Sequence, residues 1–404
     1  RSYKDTAQQN SYVTIPHAAY SYEQTETAAN VDEDIIDSLT GGRLVGSVTS
    51  FENFAECPLR YYLRYGVDLK EREEFTFSPV NFGVVLHAVI REVCDEIKKN
   101  GESYYLISEE KRREMVKRSV AAITDIYQNS ILKDSSRNSF MIKRMEDLAD
   151  RTIWAMGEQL KCGDFVPFVF EHKFNMEVGD GDRKQLMSGT IDRVDICEND
   201  TDVYVRIIDY KTGKKDFNIV KTYYGIDIQL MVYMEAAMKL VAKMRPGKNV
   251  LPAGVFYYNI SDPIVSATNE SAEEIEDKIK GELRLKGMVN SDKDIAEKMD
   301  NTEGTSLNIP VSRKADGGFD SRRSKVMNTE QFNMLGRFVD VRAVDTADRI
   351  AGGDIRRSPY KDGQFSSCDR CPYGAVCGFS VDLPGCNYRK LKKFDDEVLW
   401  NNIC

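Results

Sequence analysis

The chain has 404 residues, 41% of them hydrophobic, enough length and apolar content for two or three domains with a real core. Its 65 acidic side chains outnumber 56 basic ones, giving a net charge of −9, so no global basic field marks a nucleic-acid partner, although a local basic groove can exist on an acidic protein. No apolar run approaches the ~18 residues of a membrane span. No charged-then-apolar leader opens the chain, and nine irregularly spaced cysteines fit reduced thiols and a metal site better than a secreted disulfide framework. A cytoplasmic location is expected, and the absent initiator Met hints at part of something longer.

Residues 1–45 are polar ("AQQNSY", "SYEQTETAAN") and read as a linker or tail. "TSFENFAECPLRYYLRYG" predicts a helix over 49–66, with Thr49 and Glu52 in a capping-box pattern at its start. "FGVVLHAVIREVCDEIKKNG" predicts a second, with Phe82, Val85, Leu86, Val89, Val93 and Ile97 on one stripe. Further amphipathic helices are expected over 107–161. The period then changes to two: "FVFEHKFNMEV", "LMSGTIDRVDI" and "DVYVRIIDYKTG" are strands, the last two joined by "CENDTD" as a hairpin. "YGIDIQLMVYMEAAMKLVAKM" predicts a helix and "AGVFYYNI" a strand. A charged amphipathic helix over 271–287, a polar loop region over 301–325 and a long helix over 329–351 follow. Near the end stands "SSCDRCPYGAVCGF". The fold class is α/β, a mixed sheet flanked by helices. No internal repeat is visible, and no G-x-x-x-x-G-K-[ST] appears, so no ATP phosphate loop is expected in this chain.

Strand periodicity puts Val203, Val205, Ile207, Asp209 and Lys211 on one side, turning from apolar to charged at the strand's end. Asp192, on the preceding antiparallel strand, reaches the same end. Two carboxylates a few ångströms apart repel unless a cation lies between them. Oxygen ligands suit Mg²⁺ or Mn²⁺, and such an ion activates water and offsets charge on a scissile phosphate. A lysine two residues from a ligand carboxylate can orient that water and stabilise the transition state. The plain alternative is a hairpin with an Asp–Lys pair. Cys368, Cys371 and Cys377 form a C-x₂-C-x₅-C loop that needs a fourth ligand: Cys57, Cys386 or Cys404. Zinc and an iron–sulfur cluster both take four thiolates, and spacing does not separate them. Arg60, Tyr61, Tyr62 and Arg64 read either as a grip on single-stranded DNA or as a core-facing Tyr stripe with solvated Arg.

The order of these motifs resembles the RecB-type nucleases of the PD-(D/E)xK superfamily. "G-x-x-x-H" is Gly83 to His87, "G-x-I-D" is Gly189 to Asp192, "D-Y-K-T-G" is Asp209 to Gly213 and "Q-L-x-x-Y" is Gln229 to Tyr233. The "PD" element reads Ile191-Asp192, as is usual for that branch. The resemblance implies a restriction-endonuclease-like core with helical additions. It further implies that His87, Asp192, Asp209 and the Tyr210 carbonyl hold Mg²⁺ (or Mn²⁺), that Lys211 is catalytic, and that Gln229 and Tyr233 frame the DNA backbone. Glu171 is an extra acid near the metal, and His172, on the opposite face, is structural. A subset of this branch places one cysteine before the core and three after it around a 4Fe–4S cluster. "FAECPLRYYLRYG" resembles that upstream element, which favours Cys57 as fourth ligand and leaves Cys94, Cys162 and Cys197 as ordinary thiols.

"LKEREEFTFSPVNFGVVLHAVI", "LRLKGMVN" and "GFSVDLPGCNYRKL" are similar to the AddB family of helicase–nuclease subunits, over about Arg43 to Val398. That implies a linker over 1–45 and a nuclease domain over 46–398. Within the domain lie a first cluster-ligand helix (46–66), a catalytic core (80–260) and a C-terminal cluster loop (365–390); 399–404 would be a tail. The implied activity is a Mg²⁺-dependent DNA exonuclease that processes double-strand-break ends for recombinational repair, cutting the strand that ends 5′. Its implied partners are single-stranded DNA from unwound ends and an AddA-type helicase–nuclease subunit. A stand-alone CRISPR-associated iron–sulfur nuclease and a non-catalytic DNA-binding scaffold are the alternatives.

Overall fold

Apolar residues alternating along the strand Asp202–Lys211 feed two cores at once. Val203, Val205 and Ile207 enter one, while Tyr204, Ile208 and Tyr210 enter the other. This is the pattern of a sheet covered by helices on both faces. The computed structural model describes residues 30–32, 34–35, 45–70, 79–126, 136–178, 185–266, 269–383 and 385–403. Most of the polar stretch 1–45, most of "LKEREEF" and Cys404 therefore lie outside the described residues.

Strand β1 (Val45–Ser47) leads into helix α1 (Val48–Glu56), and Pro58 opens α2 (Pro58–Tyr61), which runs into a π-helical turn over Tyr62–Gly66. The single helix expected here is thus broken at Cys57, which is extended at φ −167° and ψ 119°. Proline disfavours the helical region for the residue before it, which is the physical reason. The expected capping box is also displaced. Ser47 is the N-cap, its hydroxyl accepting from the Ser50 amide at 3.1 Å, and Thr49 lies inside the helix.

Three long helices follow: α3 (Pro79–Lys99), α4 (Glu109–Ile126) and α5 (Ser136–Lys161). They pack their apolar stripes on one face of the sheet, and the stripe from Phe82 to Ile97 is buried in full. The sheet strands are β2 (Val166–Val178), β3 (Gln185–Glu198), β4 (Asp202–Lys211), β5 (Asn249–Asn259), β6 (Lys286–Asn290) and β7 (Val326–Met327). With β1 they form a mixed seven-stranded sheet in the order β1-β3-β4-β5-β6-β7, β2 pairing the other side of β3. Between strands lie α6 (Ile219–Tyr223), α7 (Gln229–Met244), α8 (Ala272–Glu282), α9 (Lys293–Met299) and α10 (Thr329–Ala351). Helices α1, α7 and α10 contribute to the core of the second face. A small sheet of β8 (Tyr360–Asp362), β9 (Phe365–Ser366) and β10 (Arg389–Lys390) surrounds the short helix α11 (Gly374–Cys377) in sequence.

Two further expectations change. The helix expected over 271–287 ends at Glu282, and Lys286–Asn290 is a strand; a Cβ on Gly287 would lie 1.9 Å from the Val255 carbonyl oxygen, so the pairing needs a glycine. The residues expected as a tail belong to α12 (Asp396–Ile403), which buries Leu399 and Ile403. No helix among the described residues is long and apolar enough to cross a membrane.

The sheet forks. Strands β3 and β4 pair from Glu198↔Val203 to Arg193↔Ile208, and the ladder ends there. Strand β4 stays on β5 as far as Lys211↔Asn259, while β1 takes up β3 at Leu186 to Ser188. Directly below the fork lies a buried ion trio. Arg193 donates to Asp195 at 2.7 and 2.6 Å, and Arg206 donates to the same carboxylate at 2.8 Å. Burial opposes ionisation of Asp195, but the two guanidiniums outweigh it and hold its pKa below the usual carboxylate range. Asp195→Asn would leave two cations buried without the one carboxylate that offsets them. It should lower unfolding free energy by roughly 3–5 kcal/mol. Denaturant titration checks this, and a loss under about 1 kcal/mol would contradict the account.

Candidate active site

Where β3 and β4 part, the amide of Tyr210 has no strand partner and must find another acceptor. It donates to Asp192 Oδ2 at 2.6 Å. That bond fixes Asp192 and leaves Oδ1 facing His87 on α3, 3.4 Å from Nδ1. The Tyr210 ring packs edge-on against His87, centroids 5.9 Å apart.

Glu171 completes a triad, its Oε1 3.6 Å from His87 Nδ1. It lies within β2 yet has φ +47°, in the left-handed region that side chains disfavour. One ligand-type atom each from His87, Glu171 and Asp192 lies within 4.8 Å of the other two. Burial disfavours charge on His87, but the two carboxylates outweigh it and push its pKa up to about 10.

Asp209 is held apart from this triad. Its Oδ2 is 2.5 Å from Lys211 Nζ, and its Oδ1 accepts from the Gln229 side chain at 3.2 Å. Burial first, then the nearby Asp192, pushes its pKa up to about 6, against the pull of Lys211. Gln229 also accepts from Lys211 at 3.0 Å and donates to the Tyr233 hydroxyl at 2.9 Å. Gln229 and Tyr233 are both buried; Gln229 engages the carboxylate–lysine pair, and Tyr233 engages Gln229. A Cβ on Gly189 would lie 2.6 Å from the Phe174 ring and 3.0 Å from Tyr233, so this glycine admits the Tyr233 wall.

Glu52, Lys215 and Asp227, which the sequence did not assign to the site, join it. Glu52 on α1 accepts from the amides of Ile228 and Gln229 at 2.9 and 3.0 Å. Burial raises its pKa to about 7, with Asp227 adding and Lys215 opposing. Lys215 pairs with Asp227 at 3.0 Å and lies 4.5 Å from the centre of the Tyr257 ring, whose hydroxyl donates to Asp227 at 2.6 Å.

The chain brings four cysteines together from its two ends. Cys57, Cys368, Cys371 and Cys377 lie close enough together for a charge on one to be felt by the others. Burial raises the thiols of Cys57, Cys368 and Cys377. Cys386 is buried, as are Cys94 and Cys197. The C-terminal segment also grips the end of α1. Arg389 donates to the carbonyls of Ala55 and Glu56, the latter at 3.2 Å, and the Leu59 amide donates to Arg356 O at 3.2 Å. Arg60 is tied to Glu56, whereas Arg64 is exposed with its guanidinium 5.4 Å from the Tyr65 ring centre.

Residues 46–378 match the PD-(D/E)XK nuclease superfamily. The chain belongs to this superfamily. Among curated proteins it is 34% identical over 395 residues to the B-type subunit of the ATP-dependent helicase/deoxyribonuclease of Clostridium acetobutylicum, covering 95% of this chain and 34% of that protein. The proteins of the same name from Lachnoclostridium phytofermentans and Caldanaerobacter subterraneus are also 34% identical, over 95% and 91% of this chain and 33% and 32% of theirs. The chain thus spans about a third of the length of these curated relatives. In this superfamily member the fork carries Asp192, Asp209 and Lys211 on two parting strands, with His87 supplied by a helix of the first face.

The His87 geometry has a consequence for stability. A histidine whose folded pKa exceeds its unfolded value contributes stability that is complete below about 6.5. That contribution is lost as pH rises through the folded value of about 10. Thermal denaturation in chelator should therefore show stability declining between these limits, and His87→Gln should flatten the slope. An unchanged slope in the variant would contradict the pairing with Glu171 and Asp192.

Proposed function

We propose that this chain is the DNA-cleaving domain of a B-type helicase–nuclease subunit, hydrolysing phosphodiester bonds with a divalent cation. The observation that carries it is the convergence of His87, Glu171 and Asp192 beside the Asp209–Lys211 pair at the fork. The curated relatives are named as B-type subunits of an ATP-dependent helicase/deoxyribonuclease, which supports the assignment to such an assembly. An AddA-type partner that delivers unwound single strands, and exonuclease action on the strand ending 5′, belong to the same proposal.

The donor set fits a cation: an imidazole nitrogen and carboxylate oxygens within 4.8 Å of one another suit Mg²⁺ or Mn²⁺. His87, Glu171, Asp192, Asp209 and the carbonyl of Tyr210 would hold it. When bound there, such an ion supplies a water of lowered pKa and offsets charge on the phosphate. The chain's own residues do the rest. The Tyr210 amide keeps Asp192 in place, and His87 must give up its proton to act as a ligand. Lys211 presents N–H donors to the phosphate, its direction set by Gln229, and Asp209 must leave its pair with Lys211 to reach the ion.

Lys211→Ala removes a donor whose role lies in the transition state. It should lower kcat about 10²–10³-fold. DNA affinity, measured by fluorescence anisotropy, should stay within about threefold. Cleavage at the wild-type rate on linear DNA with Mg²⁺ would refute the assignment of Lys211.

The cysteines are proposed to hold a 4Fe–4S cluster that fastens the chain's two ends together. The proximity of the four thiols supports one shared site. Zinc and a 4Fe–4S cluster both take four thiolates, and the family resemblance of the Cys57 element favours the cluster. Cys57→Ser should lose iron, visible absorption and thermal stability, and Cys386→Ser should keep all three. Stoichiometric zinc without iron after anaerobic purification would refute the cluster.

A further inference from the structure

Helix α7 begins at Gln229, and Ile228, its N-cap residue, offers no side-chain acceptor. The first N–H groups of a helix need acceptors from elsewhere. Here the acceptor comes from another element. A single oxygen of Glu52 takes both the Ile228 and Gln229 amides, at 2.9 and 3.0 Å. A carboxylate in that position also complements the positive end of the helix dipole. On its other side the turn before α7 is pinned by Asp227, which holds Lys215 and the Tyr257 hydroxyl.

What hangs from this cap is Gln229. Its side chain touches Asp209, Lys211 and Tyr233 at 3.2, 3.0 and 2.9 Å. What holds the cap is α1, the helix that ends at Cys57 and whose last carbonyls are gripped by Arg389. The contacts therefore form one continuous line, from the C-terminal segment through α1 and Glu52 to the first turn of α7 and the side chain that aims Lys211.

We propose that Glu52 is a positioning residue that couples the cysteine staple to Lys211, so that loosening α1 at Cys57 is felt at the catalytic pair. The proposal rests on the nuclease reading given above. A merely structural Glu52 would contribute stability alone. A positioning Glu52 affects turnover with the fold intact, because misplacing a reacting group by an ångström can cost on the order of 10²-fold.

The test compares wild type, Glu52→Ala, Glu52→Gln, Cys57→Ser and Lys211→Ala within the full-length polypeptide. It reads hydrogen exchange at the Ile228 and Gln229 amides, iron content, and kcat and KM on linear DNA. Glu52→Ala should keep its iron, speed exchange at the two amides about tenfold, and lower kcat about tenfold with KM within about twofold. Glu52→Gln, whose amide oxygen still accepts both N–H groups, should recover most of that loss. Cys57→Ser should speed exchange at the same two amides. Wild-type exchange at these amides in Cys57→Ser, or wild-type kcat in Glu52→Ala beside an inactive Lys211→Ala, overturns the coupling. If Glu52→Ala does not fold, the exchange comparison of Cys57→Ser with wild type decides. If wild type and Lys211→Ala cleave alike, the nuclease reading fails, and the amide exchange still decides whether Glu52 couples the two regions.

Discussion

The site depends on two strands that stop pairing. A hairpin that ran its full length would satisfy its own amides and leave no reason for a carboxylate between its strands. Because β3 and β4 separate beyond Arg193 and Ile208, the Tyr210 amide is met by the Asp192 side chain. A backbone requirement thus fixes the Asp192 carboxylate more firmly than a flexible side-chain contact would. The Arg193–Asp195–Arg206 trio, fully buried one step along the same strands, clamps the pair just before it opens. The strands are locked where they meet, and their ends are free to carry chemistry.

Crowded acids then dictate the neighbours. Asp192 stands near both Glu171 and the buried Asp209, so each carboxylate is best met by a cation or a proton. His87 answers Asp192 and Glu171, Lys211 answers Asp209, and Lys215 answers Asp227. The left-handed backbone of Glu171 belongs to the same account. A non-glycine residue in that region costs about 1–3 kcal/mol and persists where surrounding structure enforces it. Its position beside His87 gives that strain a place in the site's geometry.

Much of this was legible because the informative residues are local. Strand period two fixes the shared side of Asp209 and Lys211, and the hairpin places Asp192 opposite them. Helix period placed the stripe of α3. What failed involved partners far away in sequence. Glu52 resembled the N3 acid of a capping box, yet its amide partners lie 176 and 177 positions on, and Ser47 starts the helix instead. The available signal was an acid between Phe51 and Phe54, both fully buried. Gln229 and Tyr233 were legible as one face of a helix, but periodicity does not say what lies opposite that face. Strands β1 and β6, three and five residues long, are too short to establish a period. The fourth cysteine followed only from a family resemblance, since spacing alone left three candidates.

The grip of Arg389 on the end of α1 sets an order of assembly in time. The two are 333 positions apart, and the ribosome makes α1 first. At about 5–20 residues per second, roughly 17–67 s separate the synthesis of Glu56 from that of Arg389. In the later part of that interval, once Lys211 has been made, the strands of the fork already exist, but the segment that seats α1 does not. The nascent chain therefore carries every residue of the site before it carries the Arg389 segment that seats α1.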